Sequence, residues 1–525
     1  MDKLRVIEEN KWAVPSTSRI TRAQFHVGLA ALAATAALFA VTSRLHYSLT
    51  GDEPFMANAV RLPWGALFEV FRGDNIPFAY VLLKGWTALF GEAEWALRSL
   101  SVIAYSAAVV VTGLAGRRAA GSAAGLMAAT LMATSTKIGI VHAATARPYA
   151  LLALVASLAL LQSVALLEPT PREGSRRGPI VALALTHLFG LFTHPTYVFV
   201  LLAYAAASTV LRRIVVNGAN LAAAAALVAY VALWGPVVRA TVAAQRTGWW
   251  MAPPRFADLK AACLLLWGTG PGMIIVGAVL ALALTNTQRT RDAIAATPIR
   301  WSLVAAAVAW TVPIAVSFWK PVFLASRTPV MLLPITAVLL GGLLGALAGR
   351  LALVTLGGLL LLAGAQVVPA MRDGDPVPTR ESVRAVLDRM TCSDTIVAAG
   401  LAHAPIEYYL RRLNASSCVH FVRFPAHILD WTGRVREPAA LDRARRESRE
   451  FVEAIAARRG KVWAFGLSRG MLSDASAMLT QELQRALSCD ERLPLRGAYF
   501  DTVLVCEAPA AAAVRGAAAQ QASRH

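Results

Sequence analysis

The chain has 525 residues, of which 57% are hydrophobic and 16% charged, and its mean hydropathy is +0.53. This composition is too apolar for a soluble protein, yet both ends are too charged to lie wholly in a membrane, so we predict a polytopic membrane protein with an attached soluble domain. The formal net charge of +20 does not indicate nucleic-acid binding, because the basic residues are scattered and show no zinc-finger or RNA-binding spacing.

The apolar runs begin after a polar N-terminal segment of 24 residues. Because no small-residue cleavage site follows the first run, we expect that run to be an uncleaved membrane anchor. Runs long enough to cross about 30 Å of hydrocarbon predict about eleven spans. The predicted spans lie near residues 25–43, 98–115, 120–139, 148–167, 179–193, 195–213, 219–238, 262–284, 301–319, 327–348 and 352–370.

Lysines and arginines in the short loops indicate the orientation, because cytoplasmic loops carry more of them. The N-terminal segment 1–24 is basic, as are alternate loops, which predicts a cytoplasmic N-terminus. An odd number of spans in the membrane domain 25–370 then places the C-terminal domain outside. We therefore predict a multi-pass protein of the cytoplasmic (inner) membrane with a periplasmic C-terminal domain.

Two long outer loops follow from this orientation. The first, 44–97, contains aromatic-rich amphipathic pieces that we expect to lie in the membrane interface. The second, 239–261, contains Trp249 and Trp250. Adjacent tryptophans at a membrane edge are more often interface anchors than substrate contacts, and both interpretations stay open.

Beyond residue 370 the composition turns polar, and short apolar segments alternate with helical patterns. This alternation predicts a small α/β domain at 371–510 with a largely parallel sheet, followed by a disordered tail at 511–525. The predicted strands lie at 395–400, 418–422, 461–465 and 500–506, and the predicted helices at 404–413, 439–458 and 474–488. Four cysteines beyond the last span allow three pairings. If the domain is extracytoplasmic, we expect two structural disulfides, Cys392–Cys418 and Cys489–Cys506.

The strongest candidate site is the acidic pair Asp52 and Glu53, which follows the first membrane-length run. Carboxylates beside a bilayer are costly unless they face water, a partner or a substrate, so the pair is a functional-site candidate. The alternative is a solvated turn in which Asp52 caps a helix. Adjacent residues project in different directions, so the two acids need not share one role.

Three further features are predicted on the outer side of the membrane. They are Asp74 in the first outer loop, His142 with Arg147 and Tyr149, and Lys320 with Arg327. Asp74 can equally belong to a plain turn, and outer arginines often only snorkel to headgroups. Yet cations on this side run against the positive-inside bias. An outer-leaflet phosphate would make use of them, because arginine and lysine bind phosphate through charge-assisted hydrogen bonds.

Several of these motifs form an ordered series. Residues 48–54 follow the first span, residues 146–151 open the fourth, residues 192–194 lie between the fifth and sixth, and Arg327 precedes a proline-bearing span. In their order and sidedness they resemble the GT-C superfamily of glycosyltransferases that use polyprenyl-phosphate-linked sugars. The branch they resemble is that of the protein O-mannosyltransferases and the lipid A aminoarabinose transferase. The similarity covers roughly residues 25–350.

The resemblance implies an inverting glycosyltransferase with a polyprenyl-phosphate-linked sugar donor, and an acid in the first outer loop that deprotonates the acceptor hydroxyl. Carried onto this chain, Asp52 is the candidate base, and Glu53 orients it or helps to bind substrate. The candidate donor-binding residues are Arg147, Tyr149, His194, Arg327, Lys320 and Asp74. The implied acceptor is an envelope lipid, glycan or protein hydroxyl, and the other partners are membrane lipids.

Two departures from the family pattern leave the sugar and the acceptor open. Ile76 stands where relatives often have histidine or lysine before two prolines, and Thr145 stands where they commonly have glutamate. No cofactor is expected, because this branch generally does not depend on a metal, although a divalent metal stays an open alternative.

Functions of other classes are kept as alternatives. A transporter or flippase of lipid-linked sugars could use the same arginines, but it predicts charged residues deep inside several spans, where few occur here. A structural partner in an envelope assembly would make Asp52 and Arg327 independently dispensable. A hydrolase is disfavoured: residues 466–470 fit G-x-S-x-G, but no acid-then-histidine pair follows Ser468.

Overall fold

A computed structural model describes residues 20–74, 76–167, 177–212, 217–244, 253–266, 277, 281, 295–345, 349–372, 375–415, 417–425, 438–458, 460–467 and 474–507. These residues divide into two compact units. The first draws on Met1–His46, Leu62–Ala243 and Met251–Gly374, and the second on Tyr47–Arg61, Ala244–Trp250 and Asp375–His525. The acidic pair therefore belongs to the same unit as the C-terminal residues.

Some sequence-based predictions lie outside the described residues. They are those for residues 1–19, the tryptophan pair Trp249 and Trp250, most of the span at 262–284, the nucleophile-elbow serine Ser468 and the tail at 511–525.

The described part of the first unit is built from helices. The helices up to residue 372 are, in chain order, α1 (Arg22–Arg44), α2 (Glu53–Ala59), α3 (Trp64–Asp74), α4 (Pro77–Phe90), α5 (Glu94–Ala120), α6 (Ser122–Ala133), α7 (Val141–Ala143), α8 (Tyr149–Leu167), α9 (Arg177–Thr193), α10 (Val198–Arg212), α11 (Gly218–Ala244), α12 (Phe256–Leu266), α13 (Thr297–Ser317), α14 (Pro329–Gly345) and α15 (Gly349–Arg372). Of these, α2 belongs to the second unit.

Within the described residues, five helices are long and apolar enough to cross a membrane: α1, α5, α8, α11 and α13. A bent pair, α6 with Thr136–Ala143, makes six if it is counted as one span. Four shorter apolar helices lie at Arg177–Thr193, Pro195–Leu211, Pro329–Gly345 and Val354–Pro369. The protein is a multi-pass α-helical membrane protein, as predicted. The number of about eleven spans and the orientation stay predictions.

Helices α5, α6 and α14 approach closely because small residues line their contacts. A Cβ on Gly125 of α6 would lie 2.5 Å from the carbonyl oxygen of Gly113 on α5. One on Gly341 of α14 would lie 2.7 Å from the carbonyl oxygen of Ala124. A side chain at either glycine would push the helices apart, and small residues are the usual means by which membrane helices pack.

The chain breaks its helical path after α6. A π-helical turn at Thr136–Ile140 follows Ser135, whose hydroxyl accepts a hydrogen bond from the Gly139 N–H at 3.3 Å. The stretch Thr136–Ala143, which begins with this turn, is bent by 55° relative to α6. Position 139 admits only glycine, because the Tyr105 hydroxyl fills the space that a Cβ would need. Turns of this kind often mark functional sites, and this one leads directly into the candidate residues 142–149.

The second unit contains a five-stranded sheet with helices packed on it. Its further elements are α16 (Thr379–Leu387), β1 (Thr395–Ala399), α17 (His403–Arg412), β2 (His420–Phe424), α18 (Pro438–Ala456), β3 (Val462–Phe465), α19 (Asp474–Ala486), β4 (Ser488–Leu493) and β5 (Val503–Glu507). The strand order is β2-β1-β3-β5-β4. The buried core joins apolar residues of the sheet to those of α18 and α19: Val397, Ala464, Leu504, Val452, Ile455, Leu479 and Leu483.

The small α/β domain is present, but its sheet is mixed, so the prediction of a largely parallel sheet is wrong. Strand β1 pairs parallel with β2 and β3, whereas β5 pairs antiparallel with β3 and β4. Strand β4 begins at the residue where the predicted helix 474–488 ends, and the sequence does not predict it as a strand. Its charged residues leave no alternation of apolar and polar positions that would indicate a strand. A short connection joins β4 to β5, and this geometry requires them to run antiparallel.

Two disulfide bonds stabilise the α/β domain. Cys392–Cys418 joins the residue stretches that precede β1 and β2, and Cys489–Cys506 joins β4 to β5. Both predicted pairings are confirmed.

Candidate active site

The segment that carries the acidic pair packs into the α/β domain. The Ser48 N–H donates to Asp375 Oδ2 at 2.6 Å, and the Leu49 N–H donates to the Tyr409 hydroxyl at 2.7 Å. Both Ser48 and Leu49 are fully buried. We call residues Tyr47–Arg61 the acidic segment. It follows the membrane-length helix α1 in sequence, but its hydrogen bonds hold it to residues more than 300 positions away.

Helix α16 holds the start of the acidic segment. The Arg380 N–H donates to the Ser48 hydroxyl at 3.2 Å, and that hydroxyl donates to Glu381 Oε2 at 3.3 Å. Partial burial tends to raise the pKa of Glu381, but hydrogen bonds from its own backbone, Arg380 and Ser48 outweigh burial and lower it. Glu381 is therefore an ionised acceptor at neutral pH.

The two acids have different surroundings. Glu53 is 1% exposed, and its Oε2 accepts hydrogen bonds from the Thr50 N–H at 2.9 Å and the Thr50 hydroxyl at 3.4 Å. Asp52 is partly exposed and stands at the N-cap position of α2, but its side chain makes no capping hydrogen bond. The helix-capping alternative for Asp52 is therefore wrong. Instead, Asp52 Oδ1 accepts a hydrogen bond from the Tyr499 hydroxyl at 3.2 Å.

Helix α2 is fixed against α17 by polar and aromatic contacts. The Asn58 side chain donates to the Ala404 carbonyl oxygen at 3.0 Å and accepts from Arg411 at 3.1 Å. The ring of Phe55 meets that of His403 edge-to-face, with centroids 5.4 Å apart. Burial lowers the pKa of His403, and its hydrogen bond to the Gly400 carbonyl offsets this only in part. His403 is therefore neutral at pH 7 and can pack as an aromatic ring.

The first unit brings four predicted donor-binding residues together around one aromatic ring. The guanidinium carbons of Arg147 and Arg327 lie 5.5 Å and 5.9 Å from the centroid of the Tyr149 ring. Arg147 also donates to the Tyr149 hydroxyl at 3.4 Å, and the His194 ring lies 5.8 Å from that of Tyr149. We call Arg147, Tyr149, His194 and Arg327 the basic-aromatic cluster. Two guanidinium groups on one ring form a site suited to an anion.

His142 ties together the two chain stretches that supply the arginines. Its ring lies 4.6 Å from that of Tyr149, and its Nε2 is 2.8 Å from the carbonyl oxygen of Ser326, the residue before Arg327. Its Nδ1 is buried and has no hydrogen-bond partner among the residues that the structure describes. A buried ring nitrogen without a partner is costly, so this atom is available to a ligand at the cluster.

Arg98 is a buried residue whose structural role the sequence does not indicate. It is 2% exposed, and its guanidinium donates to the Arg44 carbonyl oxygen at 2.6 Å, at the C-terminal end of α1. The last carbonyls of a helix lack partners within the helix, and a cation there also interacts favourably with the helix dipole. Arg98 therefore fixes the point at which α1 ends, shortly before the acidic segment.

The other predicted site residues are not joined to these groups by the contacts described. Lys320 lies just beyond the end of α13 and is partly exposed. Asp74 is the last residue of α3, and its side chain lies outside the described part of the structure. Asp52 belongs to the second unit and the arginines to the first, so their joint action stays a prediction. Across the described residues, no three His, Cys, Asp or Glu side chains gather as a metal site, and the expectation that no cofactor is needed stays a prediction.

Comparison with known proteins gives a result at the level of fold. No family model matches the sequence, and no curated protein matches it. ArnT from Cupriavidus metallidurans in the apo state aligns with a TM-score of 0.58 at 15% identity, covering 91% of this chain and 98% of that one. The same protein bound to undecaprenyl phosphate aligns with a TM-score of 0.56 at 14% identity, covering 91% and 97%.

A third solved structure shares the fold over part of its length. Arabinofuranosyltransferase AftD from Mycobacteria aligns with a TM-score of 0.51 at 14% identity, covering 94% of this chain and 42% of AftD. ArnT and AftD are GT-C glycosyltransferases, and at these identities the likeness is one of fold. The chain therefore shares the fold of these GT-C glycosyltransferases.

Proposed function

We propose that this protein is a glycosyltransferase that moves a sugar from a polyprenyl phosphate to a hydroxyl group of an envelope lipid, glycan or protein. The observation that carries the proposal is the convergence of Arg147 and Arg327 on the Tyr149 ring. The GT-C fold supports it, since one matched structure, that of ArnT, holds undecaprenyl phosphate. No observation favours transport of lipid-linked sugars instead.

The basic-aromatic cluster would hold the phosphate of the donor. As the bond from the sugar carbon to the phosphate oxygen breaks, the phosphate gains negative charge, and two fixed guanidinium groups stabilise that charge as it develops. Arginine suits this task because its planar fork binds two phosphate oxygens at once. The His142 Nδ1, buried beside Tyr149, supplies a further polar atom at the same place.

Asp52 would act as the general base. It accepts the proton of the acceptor hydroxyl while that oxygen attacks the sugar carbon, and the polyprenyl phosphate leaves with the electron pair of the broken bond. One base opposite the leaving group leads to inversion at the sugar carbon. Asp52 suits this role better than Glu53, since Asp52 is partly exposed whereas Glu53 is buried and occupied by Thr50.

The setting of the reaction completes the proposal. The reaction would take place on the non-cytoplasmic side of the inner membrane, where a polyprenyl-phosphate-linked sugar is presented from the bilayer. Basic loops on the opposite side and the two disulfides of the α/β domain support this orientation.

The test begins with the identity of the sugar. Mass spectrometry of envelope lipids and glycans from cells with and without the gene should reveal one missing sugar, which names the donor to synthesise. Purified protein in detergent should then release polyprenyl phosphate from that donor in the presence of the acceptor. The transferred sugar in the product should have the anomeric configuration opposite to that of the sugar in the donor.

The role of Asp52 is tested in the same assay. Asp52→Asn should lower kcat at least about 100-fold, since a general base contributes about 10²- to 10⁴-fold. The matched control is Asp501→Asn, which neutralises an exposed acid of the same unit and should keep wild-type activity. Near-normal transfer by folded Asp52→Asn would overturn the base assignment, and an unchanged envelope in cells without the gene would overturn the proposed function.

A further inference from the structure

The connection between β4 and β5 places a tyrosine hydroxyl on the proposed base. Tyr499 donates a hydrogen bond to Asp52 Oδ1 at 3.2 Å, across a sequence separation of 447 residues. The proposed function gives this tyrosine no role. Three observations indicate that its position is specified by the fold.

The first observation is the backbone of Tyr499. Its φ is +70°, in the left-handed region that bulky residues rarely adopt. A bulky residue keeps such a backbone conformation only when the surrounding structure enforces it, and residues of this kind cluster at functional sites. The turn around it, residues 496–500, is closed by a hydrogen bond from the Gly497 N–H to the Phe500 carbonyl oxygen at 2.9 Å.

The second observation is that one helix anchors both partners. The Ala498 N–H donates to the Thr379 hydroxyl at 2.8 Å, and the Ser382 hydroxyl donates to the Arg496 carbonyl oxygen at 2.6 Å. Thr379 and Ser382 belong to α16. The same helix holds Ser48 at the start of the acidic segment through Arg380. The turn and the acidic segment are thus fixed to a common support.

The third observation is the packing of the tyrosine ring. The Tyr499 ring lies 6.3 Å from that of Phe55, which follows Asp52 by three residues and in turn packs on His403. The ring is therefore held from the side while its hydroxyl meets the carboxylate. A hydroxyl that only needed solvation would not require this support.

We propose that Tyr499 is a positioning residue for Asp52, so that the α/β domain orients the base of the reaction. This inference rests on the proposed function. A donor on one carboxylate oxygen fixes the rotation of the carboxylate and favours its ionised form, which is the form that accepts the proton. Without the Tyr499 hydroxyl, the Asp52 carboxylate is no longer held in one orientation, and it becomes protonated at a higher pH.

Other ionisable groups near the pair give different pH responses. Glu53 accepts two hydrogen bonds from Thr50, and the arginine Arg411 stays charged over the pH range of the assay. His403 titrates below its ordinary range because burial lowers its pKa, and its Nδ1 pairs with the Gly400 carbonyl and not with Tyr499. A response that came from His403 would therefore persist when the Tyr499 hydroxyl is removed.

The experiment compares Tyr499→Phe with Tyr409→Phe in the full-length protein. Tyr499→Phe keeps the ring on Phe55 and removes only the hydroxyl. We expect kcat to fall about 10- to 100-fold, KM for the donor to stay within about twofold, and the acidic limb of the pH–rate profile to move up by about one unit. Tyr409→Phe removes the hydroxyl that holds Leu49, so it should lower the melting temperature without moving that limb.

A double variant separates this inference from the proposed function. Adding Tyr499→Phe to Asp52→Asn should cause no further loss, because the hydrogen bond acts through the ionised base. If wild type transfers sugar and Asp52→Asn does not, but Tyr499→Phe keeps the wild-type kcat and pH profile, the positioning role is refuted while the function stands. A lower melting temperature as the sole effect of Tyr499→Phe refutes it equally. If wild type transfers no sugar, the proposed function itself fails.

Discussion

Replacing Asn58 by leucine should loosen the acidic segment from the α/β domain. Leucine has a similar size, but it cannot donate to the Ala404 carbonyl oxygen or accept from Arg411. The first bond is worth about 1 kcal/mol and the second, to a charged group, about 1.5–3 kcal/mol, so local opening should become easier by roughly 2.5–4 kcal/mol. This corresponds to a roughly 70- to 1,000-fold larger population of the open segment.

Hydrogen–deuterium exchange read by mass spectrometry measures this opening directly. In the wild type, amides of residues 48–60 should exchange slowly, and in Asn58→Leu they should exchange faster by the stated factor, with transfer activity reduced. The matched control is Asn220→Leu, which removes a 2.7 Å hydrogen bond to Thr209 within the first unit. If Asn58→Leu changes the protection of these amides by less than about threefold, the side-chain bonds do not hold the segment and the reasoning is wrong.

Three further outcomes follow from other parts of the structure. Arg147→Gln and Arg327→Gln should each lower kcat/KM for the donor about 10- to 100-fold without lowering the melting temperature, and wild-type kinetics in either variant would contradict a phosphate-binding role. Reducing the two disulfides, which close loops of 26 and 17 residues, should lower the free energy of unfolding by roughly 3 kcal/mol for each, as denaturant titration of the reduced protein can check. Burial tends to raise the pKa of Asp394, but hydrogen bonds from Lys461, Thr391 and Trp463 outweigh burial and lower it. The stabilisation by Asp394 is thus present above the unfolded pKa of about 3.9 and is lost as the pH falls through the lower folded pKa. Asp394→Asn should therefore be less stable than wild type at pH 7. Below about pH 4, its melting temperature should approach that of the wild type in thermal unfolding.

Features encoded locally could be predicted from the sequence. Membrane helices show as apolar runs, and the cysteine pairs link neighbouring stretches of the α/β domain, so both could be anticipated. The arginines beside Tyr149 were recognisable because cations at outer helix ends run against the usual charge bias. Their convergence on one ring needed the structure, since Arg147 and Arg327 are distant in sequence.

Features set by long-range packing could not be predicted. The acidic segment follows α1 directly, and nothing in its residues indicates that it packs on α16 and α17. Tyr499 carries no motif, and the turn in which it has a positive φ is hydrogen-bonded to the distant helix α16. Strand β4 was missed because a short charged stretch after a helix shows no alternation of apolar residues.

The bond between Leu49 and Tyr409 spans 360 residues and has a consequence for biosynthesis. At roughly 5–20 residues per second, the ribosome needs about 20 to 70 s to travel from one partner to the other. During that interval the nascent chain already has its first helix in the bilayer, but the support for Asp52 has not been translated. The proposed base is thus supported only after Tyr409 has emerged from the ribosome, so that products truncated before Tyr409 would be inactive.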